Sequence, residues 1–213
     1  MTTTLVRPST NGTARRELKI PVPEFTEFRL RIEGTTPLIL DAFSEDAKRK
    51  LAESQSGAAK VKPGPRDPQR ECENASYRLS DGRYGVPKLA FRKAIQTGAM
   101  RMTEIKGTEI LAAFQIATPD ELLPLDTVAE PTMRTDHVVR MGRGNLAYRA
   151  SFFPWAVDLP IRLDHEVVTL DQFVHIVYKA GMGVGIGNWR PEKKGDSGCW
   201  TVAAISDVRV LGG

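Results

Sequence analysis

Two segments of the chain alternate apolar and polar side chains with a period of two, and this pattern constrains the fold more than any other feature. In FTEFRLRIEG, Phe28, Leu30 and Ile32 alternate with charged residues. Because successive side chains of a strand point to opposite faces, the pattern predicts a strand with one buried face. The same pattern predicts a second strand, whose apolar positions are Trp155, Val157, Leu159, Ile161 and Leu163. Pro160 lacks an N–H group, which favours an edge or bulge position for that strand.

Two other segments have the three- and four-residue spacing of amphipathic helices. The first opens at Pro87, and its apolar stripe comprises Phe91, Ala94, Ile95, Gly98 and Met102. The second is predicted from about Leu170 to Ala180, where Thr169 and Gln172 have the spacing of a capping box. Shorter patterns predict a hairpin in YRLSDGRYGVP, a strand over 110–116, a helix in SEDAKRKLAESQ, and a last strand or strand pair in CWTVAAISDVRVL.

The order of these elements predicts an α+β fold. It runs strand, insertion, helix, strand, strand, helix, glycine-rich loop and strand, which is typical of a ferredoxin-like (split βαβ) antiparallel sheet with two helices on one face. Residues 1–24, rich in Thr, Pro, Asn and Arg, are predicted to be a flexible arm. Residues 41–86 are predicted to be a long, mobile insertion, because GAAKVKPGPRDPQRE is rich in Pro, Gly and charge. Residues 25–213 then form one domain around that sheet.

The segment GMGVGIGNWRPEKKGDSGCW, residues 181–200, has glycine at every second position from Gly181 to Gly187. A dinucleotide-binding fingerprint needs G-x-G-x-x-G between a strand and a helix, whereas these glycines follow a predicted helix and precede a strand. A P-loop pattern is absent from the sequence as well. Glycines without Cβ atoms let another backbone approach closely. That backbone belongs either to a nucleic acid or to the protein itself.

This segment resembles the glycine-rich loop of the RAMP superfamily, the RNA-binding proteins of CRISPR effector complexes. The likeness is carried by Val184-Gly185-Ile186-Gly187, the spacer Asn188 to Lys194, and Gly195 and Gly198 ahead of Cys199 and Trp200. The spacer is longer than in the family, and the second glycine pair is separated by two residues rather than one. The resemblance implies binding of RNA or single-stranded nucleic acid by subunits that line up along the strand.

The whole chain is also similar to a family encoded by tailed phages and prophages. The segments GTTPLILDAF, YGVP and GVGIGNWRPEKKG carry this second resemblance. It implies a phage origin, and therefore the cytoplasm of a bacterial host, but no particular activity. The expectation of a soluble protein agrees with the absence of a continuous apolar stretch of about 18 residues.

Arginines and aromatic residues are interspersed in MRTDHVVRMGRGNLAYRASFFPW, residues 133–155. Arginines neutralise phosphates and aromatic rings stack on bases, at about 1–3 kcal/mol per base, so the mixture favours a single strand as ligand. About half of these aromatic rings are expected to belong to the core. Together with the glycine-rich loop, the predicted nucleic-acid-binding residues are Arg134, Arg140, Arg143, Tyr148, Arg149, Gly183, Gly185, Gly187, Trp189, Arg190, Lys193 and Lys194.

The composition agrees with a polyanionic partner, because 30 basic residues face 26 acidic ones and the formal charge is +4. Neither a metal site nor a cofactor is predicted, since Cys72 and Cys199 lack zinc-type spacing and the three histidines are scattered. The sequence therefore predicts a non-catalytic, single-stranded nucleic-acid-binding protein that self-associates into an oligomer or filament, without a membrane partner. Two alternatives stay open: an RNA-processing endoribonuclease of the same fold that uses His137, and a protein-binding factor that interferes with a host defence complex.

Overall fold

A computed structural model describes residues 2–5, 18–21, 24–43, 45–56, 65–140 and 142–211. The strands within these ranges are β1 (Thr2–Leu5), β2 (Leu18–Pro21), β3 (Phe25–Gly34), β4 (Leu38–Leu40), β5 (Tyr77–Arg78), β6 (Tyr84–Pro87), β7 (Phe114–Ile116), β8 (Leu122–Pro124), β9 (Asp126–Thr127), β10 (Thr132–Arg140), β11 (Arg143–Phe152), β12 (Trp155–Leu163) and β13 (Trp200–Leu211). The helices are α1 (Glu45–Gln55), α2 (Pro68–Asn74), α3 (Lys88–Met102), α4 (Gly107–Ala113) and α5 (Leu170–Gly183). The fold is therefore α+β with antiparallel sheets, as predicted.

The main sheet has the strand order β13-β3-β12-β7, with β9 also paired to β12, and every pairing is antiparallel. The two alternating segments are its central strands. Their predicted apolar faces are buried, and Leu30 lies opposite Leu159. Burial of one face fixes this register, because a shift by one residue would bring the charged side chains into the core.

Pro160 corrects one expectation, because β12 lies inside the sheet rather than at its edge. On one side Pro160 is opposite Arg29 of β3, and on the other its carbonyl accepts a hydrogen bond from the N–H of Ala117. The nitrogen of Pro160 faces that same second side, where β12 is paired with β9 only at residues 155–156 and with β7 only at residues 161–163. The gap between these two short strands accommodates a residue that has no N–H to donate.

Helices α3 and α5 pack against each other and against the apolar face of the main sheet. Phe173 of α5 contacts Phe28 of β3 edge to face at 6.0 Å, and Phe91 of α3 contacts Trp200 of β13 at 5.5 Å. The predicted capping box opens α5, since Thr169 and Gln172 bond each other's backbone N–H groups. The helix continues to Gly183, three residues beyond its predicted end. Among the helices of the described residues, none has the length and apolar character that a membrane crossing requires.

Residues 110–116 differ from the prediction of a single strand. Gly107, Ile110 and Ala113 are buried at a spacing of three on helix α4, and only Phe114–Ile116 are extended. The sequence pattern is ambiguous here, since Ile110, Ala112 and Phe114 fit a period of two while Ile110, Ala113 and Phe114 fit a helix. Over a run this short, periodicity does not separate the two structures.

The predicted insertion, residues 41–86, is partly ordered. Helix α1 covers the predicted SEDAKRKLAESQ segment, and β5 pairs with β6 as the predicted hairpin. Helix α2 was not predicted; Asp67 caps its first turn, and Cys72 on α2 is buried. Residues 57–64 and most of the predicted flexible arm lie outside the described residues, although β1 pairs with β2 within that arm.

Candidate nucleic-acid interface

Strands β10 and β11 form a long antiparallel hairpin, held to β4 at its base in the order β10-β11-β4. Its register pairs Arg134 with Arg149 near the base and Arg140 with Arg143 next to the turn. Directly opposed residues share one face of an antiparallel pair, so these two pairs, six cross-strand rungs apart, lie on the same face as Asp136. Like charges in directly opposed positions destabilise a hairpin unless an anion compensates them. Most of the predicted arginines therefore follow one face of this hairpin.

Asp136 organises the base of that face. It accepts hydrogen bonds from Arg134 Nε at 2.8 Å, from Arg149 Nη1 at 2.9 Å and from the indole Nε1 of Trp189 at 3.0 Å. Arg149 also donates from Nε to Asp41 at 3.0 Å. Burial raises the pKa of Asp136, but the hydrogen bonds from Arg134, Arg149 and Trp189 outweigh it and hold the pKa below its usual value. The carboxylate is therefore ionised and bridges the hairpin to the glycine-rich loop.

Arg149 corrects a predicted phosphate contact. The residue is only 8% exposed, and its guanidinium is shared between Asp136 and Asp41. A buried guanidinium held by two carboxylates has no charge to offer to a phosphate. The same carboxylate of Asp136 also binds Arg134, so it holds two of the predicted arginines.

The glycine-rich loop corrects a second expectation, because the backbone that approaches it is the protein's own. Gly187 has φ +74°, and a methyl group there would lie 2.5 Å from the carbonyl oxygen of Ile39. Gly198 has φ +67°, and a methyl group there would overlap the carbonyl oxygen of Ile186. The N–H groups of Ile186 and Gly198 donate to the carbonyls of Gly198 and Pro37 at 3.0 and 2.8 Å. These glycines allow the loop to fold onto itself and onto β4.

Gly183 and Gly185 fit the same correction. Gly183 is the last residue of α5, and Gly185 is buried with a backbone N–H that donates to the carbonyl of Ala180. None of the three predicted glycines, 183, 185 and 187, therefore presents an open backbone cradle. The loop is a tightly packed connection whose exposed parts are its side chains.

Trp189 is the exposed aromatic residue of this loop. Its side chain has no place in the core, the residue is 42% exposed, and its backbone adopts φ +56°, a conformation that costs a non-glycine residue free energy. The carbonyl of Trp189 accepts a hydrogen bond from Ser197 N–H at 2.9 Å, and the indole N–H is held by Asp136. The ring is thus fixed at its edge and partly open to solvent.

The basic residues of the loop fall into two groups. Arg190 donates from Nε and Nη2 to Glu192 at 2.9 and 2.7 Å and from Nη1 to the carbonyl of Gly187 at 2.9 Å. Its hydrogen bonds lower the pKa of Glu192, and its charge is compensated within the loop. Lys193 and Lys194 are exposed, and the side chain of neither makes a hydrogen bond or salt bridge within the described part of the chain. The two lysines are therefore available to a ligand, and Arg190 is not.

The aromatic residues of the segment 133–155 divide as expected. Phe152 and Trp155 are buried, and Tyr148 is half-buried. The guanidinium of Arg66 lies 5.3 Å from the centre of the Tyr148 ring and also donates to the carbonyl of Leu146 at 2.8 Å. Arg66, which the sequence analysis did not identify, packs on the Tyr148 ring and links the segment before α2 to the hairpin. No sequence signal identifies it, since Leu146 is 80 positions away.

The open face of the main sheet carries charges that compensate one another. Arg31 pairs with Asp126 at 2.7 Å and with Asp158 at 3.3 Å, while Arg162 pairs with Glu27 at 2.6 Å. Basic and acidic residues thus alternate across this face. It offers an anionic strand little uncompensated positive charge, which leaves the hairpin and the loop as the better candidate.

We call the exposed set Arg134, Arg143, Trp189, Lys193 and Lys194 the hairpin–loop surface. Arg134 is bonded to Asp136 but keeps 47% of its side chain exposed, and Arg143 has no salt bridge within the described ranges. Arg140 is placed only by its register opposite Arg143. The surface combines a fixed indole ring with four cationic side chains. The described residues contain no cluster of three or more His, Cys, Asp or Glu suited to a metal ion.

Comparisons with known proteins add no homologue to this geometry: no protein-family model matches the chain, and no curated protein matches it.

Proposed function

We propose that the chain is a single-stranded nucleic-acid-binding protein that uses the hairpin–loop surface. The observation that carries the proposal is Trp189, an exposed indole on a strained backbone whose edge is held by the buried carboxylate of Asp136. Strained residues persist where the surrounding structure enforces them, and they concentrate at binding sites. A rigid, half-exposed aromatic ring is what base stacking requires, and stacking tolerates any base.

The cations of the surface suit the phosphates of the same strand. Lys193 and Lys194 follow Trp189 in the loop, and Arg134 reaches Asp136 from the hairpin. Arg143 lies near the turn, opposite position 140 and four residues along the strand from the level of Asp136, a distance of about 13 Å. A strand that stacks a base on Trp189 can therefore run along the hairpin and meet a second positive site at its tip.

The fold forms part of the proposal, as a ferredoxin-like, RAMP-type core. In chain order the main strands are β3, β7, β12 and β13. Across the sheet they lie in the order β13-β3-β12-β7, that is, fourth, first, third and second in the chain. Helices α3 and α5 follow the first and third of these strands, as in a split βαβ unit. The glycine-rich loop lies between α5 and the last strand, where the RAMP resemblance implies it, and the β10–β11 hairpin is inserted between the second and third strands.

The proposed protein binds without cleaving, and copies assemble along the strand. Fluorescence anisotropy with labelled 30-nucleotide single-stranded DNA, single-stranded RNA and duplex tests the binding, between about 50 and 200 mM salt because phosphate contacts release counterions. We expect a single strand to bind with an affinity that falls steeply as salt increases. Light scattering on the same samples measures the assembly, and gel analysis of the RNA checks that it stays intact.

Variants locate the binding surface. Trp189→Ala is expected to weaken binding about 5- to 150-fold, the equivalent of one lost stacking contact of about 1–3 kcal/mol. Lys193→Gln combined with Lys194→Gln is expected to reduce the salt slope by about 1–2. The matched controls are Phe153→Ala, an aromatic residue 54% exposed outside this surface, and Lys93→Gln on the exposed side of α3. Wild-type affinity in Trp189→Ala, or absence of binding at low salt, contradicts the proposal.

A further inference from the structure

We propose that the protein has a second binding site, specific for a nucleoside phosphate, in a cavity of about 1160 Å³ beside the first turn of α3. This volume exceeds the roughly 300–1,000 Å³ of most small-molecule sites, so a mononucleotide fits. None of the five residues that define the hairpin–loop surface lines this cavity. Arg101 near the end of α3 approaches Glu192 of the glycine-rich loop at 3.7 Å, whereas Lys88, at the cavity, is thirteen residues or about 20 Å earlier on the same helix.

Part of the cavity lining is apolar and aromatic. Phe43 follows β4 and is 57% exposed, and Leu89 on α3 is 52% exposed. Tyr77 and Ile116 also line the cavity. Large apolar side chains that face a cavity rather than the core favour a ligand with a flat, apolar part. The Phe43 ring can stack on a base, as aromatic side chains do in nucleotide-binding sites.

The cavity also contains cations that make no salt bridge to a carboxylate among the described residues. Lys88 Nζ donates to the carbonyl of Thr118 at 2.7 Å, and Arg92 donates to the carbonyls of Phe114 and Leu111 at 2.9 and 3.0 Å. Arg78 donates to the carbonyl of Gly82 and to the hydroxyl of Tyr84. These neutral acceptors hold the three side chains in place, and none of the three makes a salt bridge to a described carboxylate. Fixed cations without a salt-bridge partner are suited to a phosphate group.

Polar groups complete the lining. Glu73 and Glu121 contribute carboxylates, which accept hydrogen bonds from sugar hydroxyls, as acidic residues do for ribose in dinucleotide sites. Asn74 and Gln115 contribute amides, which both donate and accept and so match the edge of a base. Ser76 also lines the cavity, and its hydroxyl is buried without a hydrogen-bond partner among the described groups. The aromatic residues, the carboxylates and the cations of the lining together match a base, a sugar and a phosphate.

Isothermal titration calorimetry with ADP, GDP, CDP and UDP tests the site, with adenosine and inorganic phosphate as partial ligands. We expect at least one nucleoside diphosphate to bind with a Kd below about 1 mM, and about tenfold or more tighter than adenosine or phosphate. The diphosphate contacts both the aromatic residues and the cations, whereas adenosine and phosphate each contact only one of these sets. Absence of binding by all four diphosphates overturns the proposal. Equal affinity for phosphate and the diphosphates overturns it too, since that result shows an anion site without recognition of the nucleoside.

Two variants place the ligand in this cavity. Phe43→Ala is expected to weaken the diphosphate about tenfold. Lys88→Gln, which keeps a donor for the carbonyl of Thr118, is expected to remove most of the preference for diphosphate over adenosine. Lys93→Gln on the same helix is the matched control and leaves both affinities unchanged, and circular dichroism checks that each variant is folded. Binding that neither Phe43→Ala nor Lys88→Gln alters overturns the assignment. Trp189→Ala is expected to bind the diphosphate as the wild type does, so this proposal and the proposed strand binding fail separately.

Discussion

Replacing Gly198 by alanine tests whether the glycine-rich loop is shaped by the protein's own backbone or by a ligand. Gly198 and Gly142 form a matched pair, because their φ angles are +67° and +73°. A methyl group at Gly198 would overlap the carbonyl oxygen of Ile186, whereas a methyl group at Gly142 would meet no atom within 4 Å. The two alanine variants therefore share the conformational penalty and differ in the steric one.

The magnitudes follow from these two terms. A left-handed conformation costs an alanine about 1–2 kcal/mol, and about 0.4–1 kcal/mol of this is offset because alanine restricts the unfolded chain. Gly142→Ala should thus lose about 1 kcal/mol of unfolding free energy. Gly198→Ala carries an additional overpacking cost of about 1–3 kcal/mol, because the loop must shift from Ile186. For a chain of this length that difference lowers Tm by about 2–12 °C relative to Gly142→Ala.

Urea and thermal unfolding of the two variants measure the difference, with strand binding measured on the same samples by anisotropy. If the two variants unfold with free energies within about 0.5 kcal/mol of each other, steric contact with Ile186 does not explain Gly198. If Gly198→Ala keeps full stability but loses nucleic-acid binding, the glycine serves a ligand. That second result would support the original interpretation that the glycines let a nucleic-acid backbone approach the loop.

Three further predictions concern ionisable groups. Asp136→Ala is expected to lose about 3–5 kcal/mol of unfolding free energy, because it leaves the buried Arg149 with Asp41 alone. The control is Asp158→Ala, which removes an exposed partner of Arg31 and is expected to lose at most about 1 kcal/mol. Similar losses in the two variants would contradict the assigned network. The folded-state pKa of Asp136 is lowered, so the stabilisation from its carboxylate is full above the unfolded pKa of about 3.9 and is lost as pH falls through the folded pKa. Asp136→Asn removes this titration, so its unfolding free energy, measured by urea unfolding, should depend less steeply on pH below about 4 than that of the wild type; an unchanged slope would contradict the assignment. Burial, and then the hydrogen bond to Glu130, raise the pKa of Tyr84 to about 12. One tyrosine should therefore ionise near that pH in a titration followed by ultraviolet absorbance, and Tyr84→Phe should remove this step. The unfolding free energy should fall as pH rises from about 10 toward that value.

Strands β3 and β12, the capping box of α5 and the β5–β6 hairpin could be read from the sequence because each depends on neighbouring residues. Alternating side chains place Leu30 and Leu159 in the core whatever the partner strand is, and Thr169 bonds a backbone N–H three residues away. Where two periods fitted equally, as over residues 110–116, local pattern did not separate helix from strand. The sequence analysis also included Trp189 of the glycine-rich loop among the predicted binding residues, and the structure leaves this residue 42% exposed.

The candidate site was predicted less well, because its chemistry depends on residues far apart in the chain. Arg149 meets Asp41 across 108 positions, and Asp136 meets Trp189 across 53. A charge becomes available or compensated only when the fold brings its partner near, and no local pattern records that distance. The sequence by itself therefore determined the central strands β3 and β12, the helices α3 and α5 and the β5–β6 hairpin, through periodicity, capping and turn residues. Only the tertiary structure decided which arginines are free, which backbone the glycines admit, and that a cavity lies beside α3, because each of these follows from long-range packing.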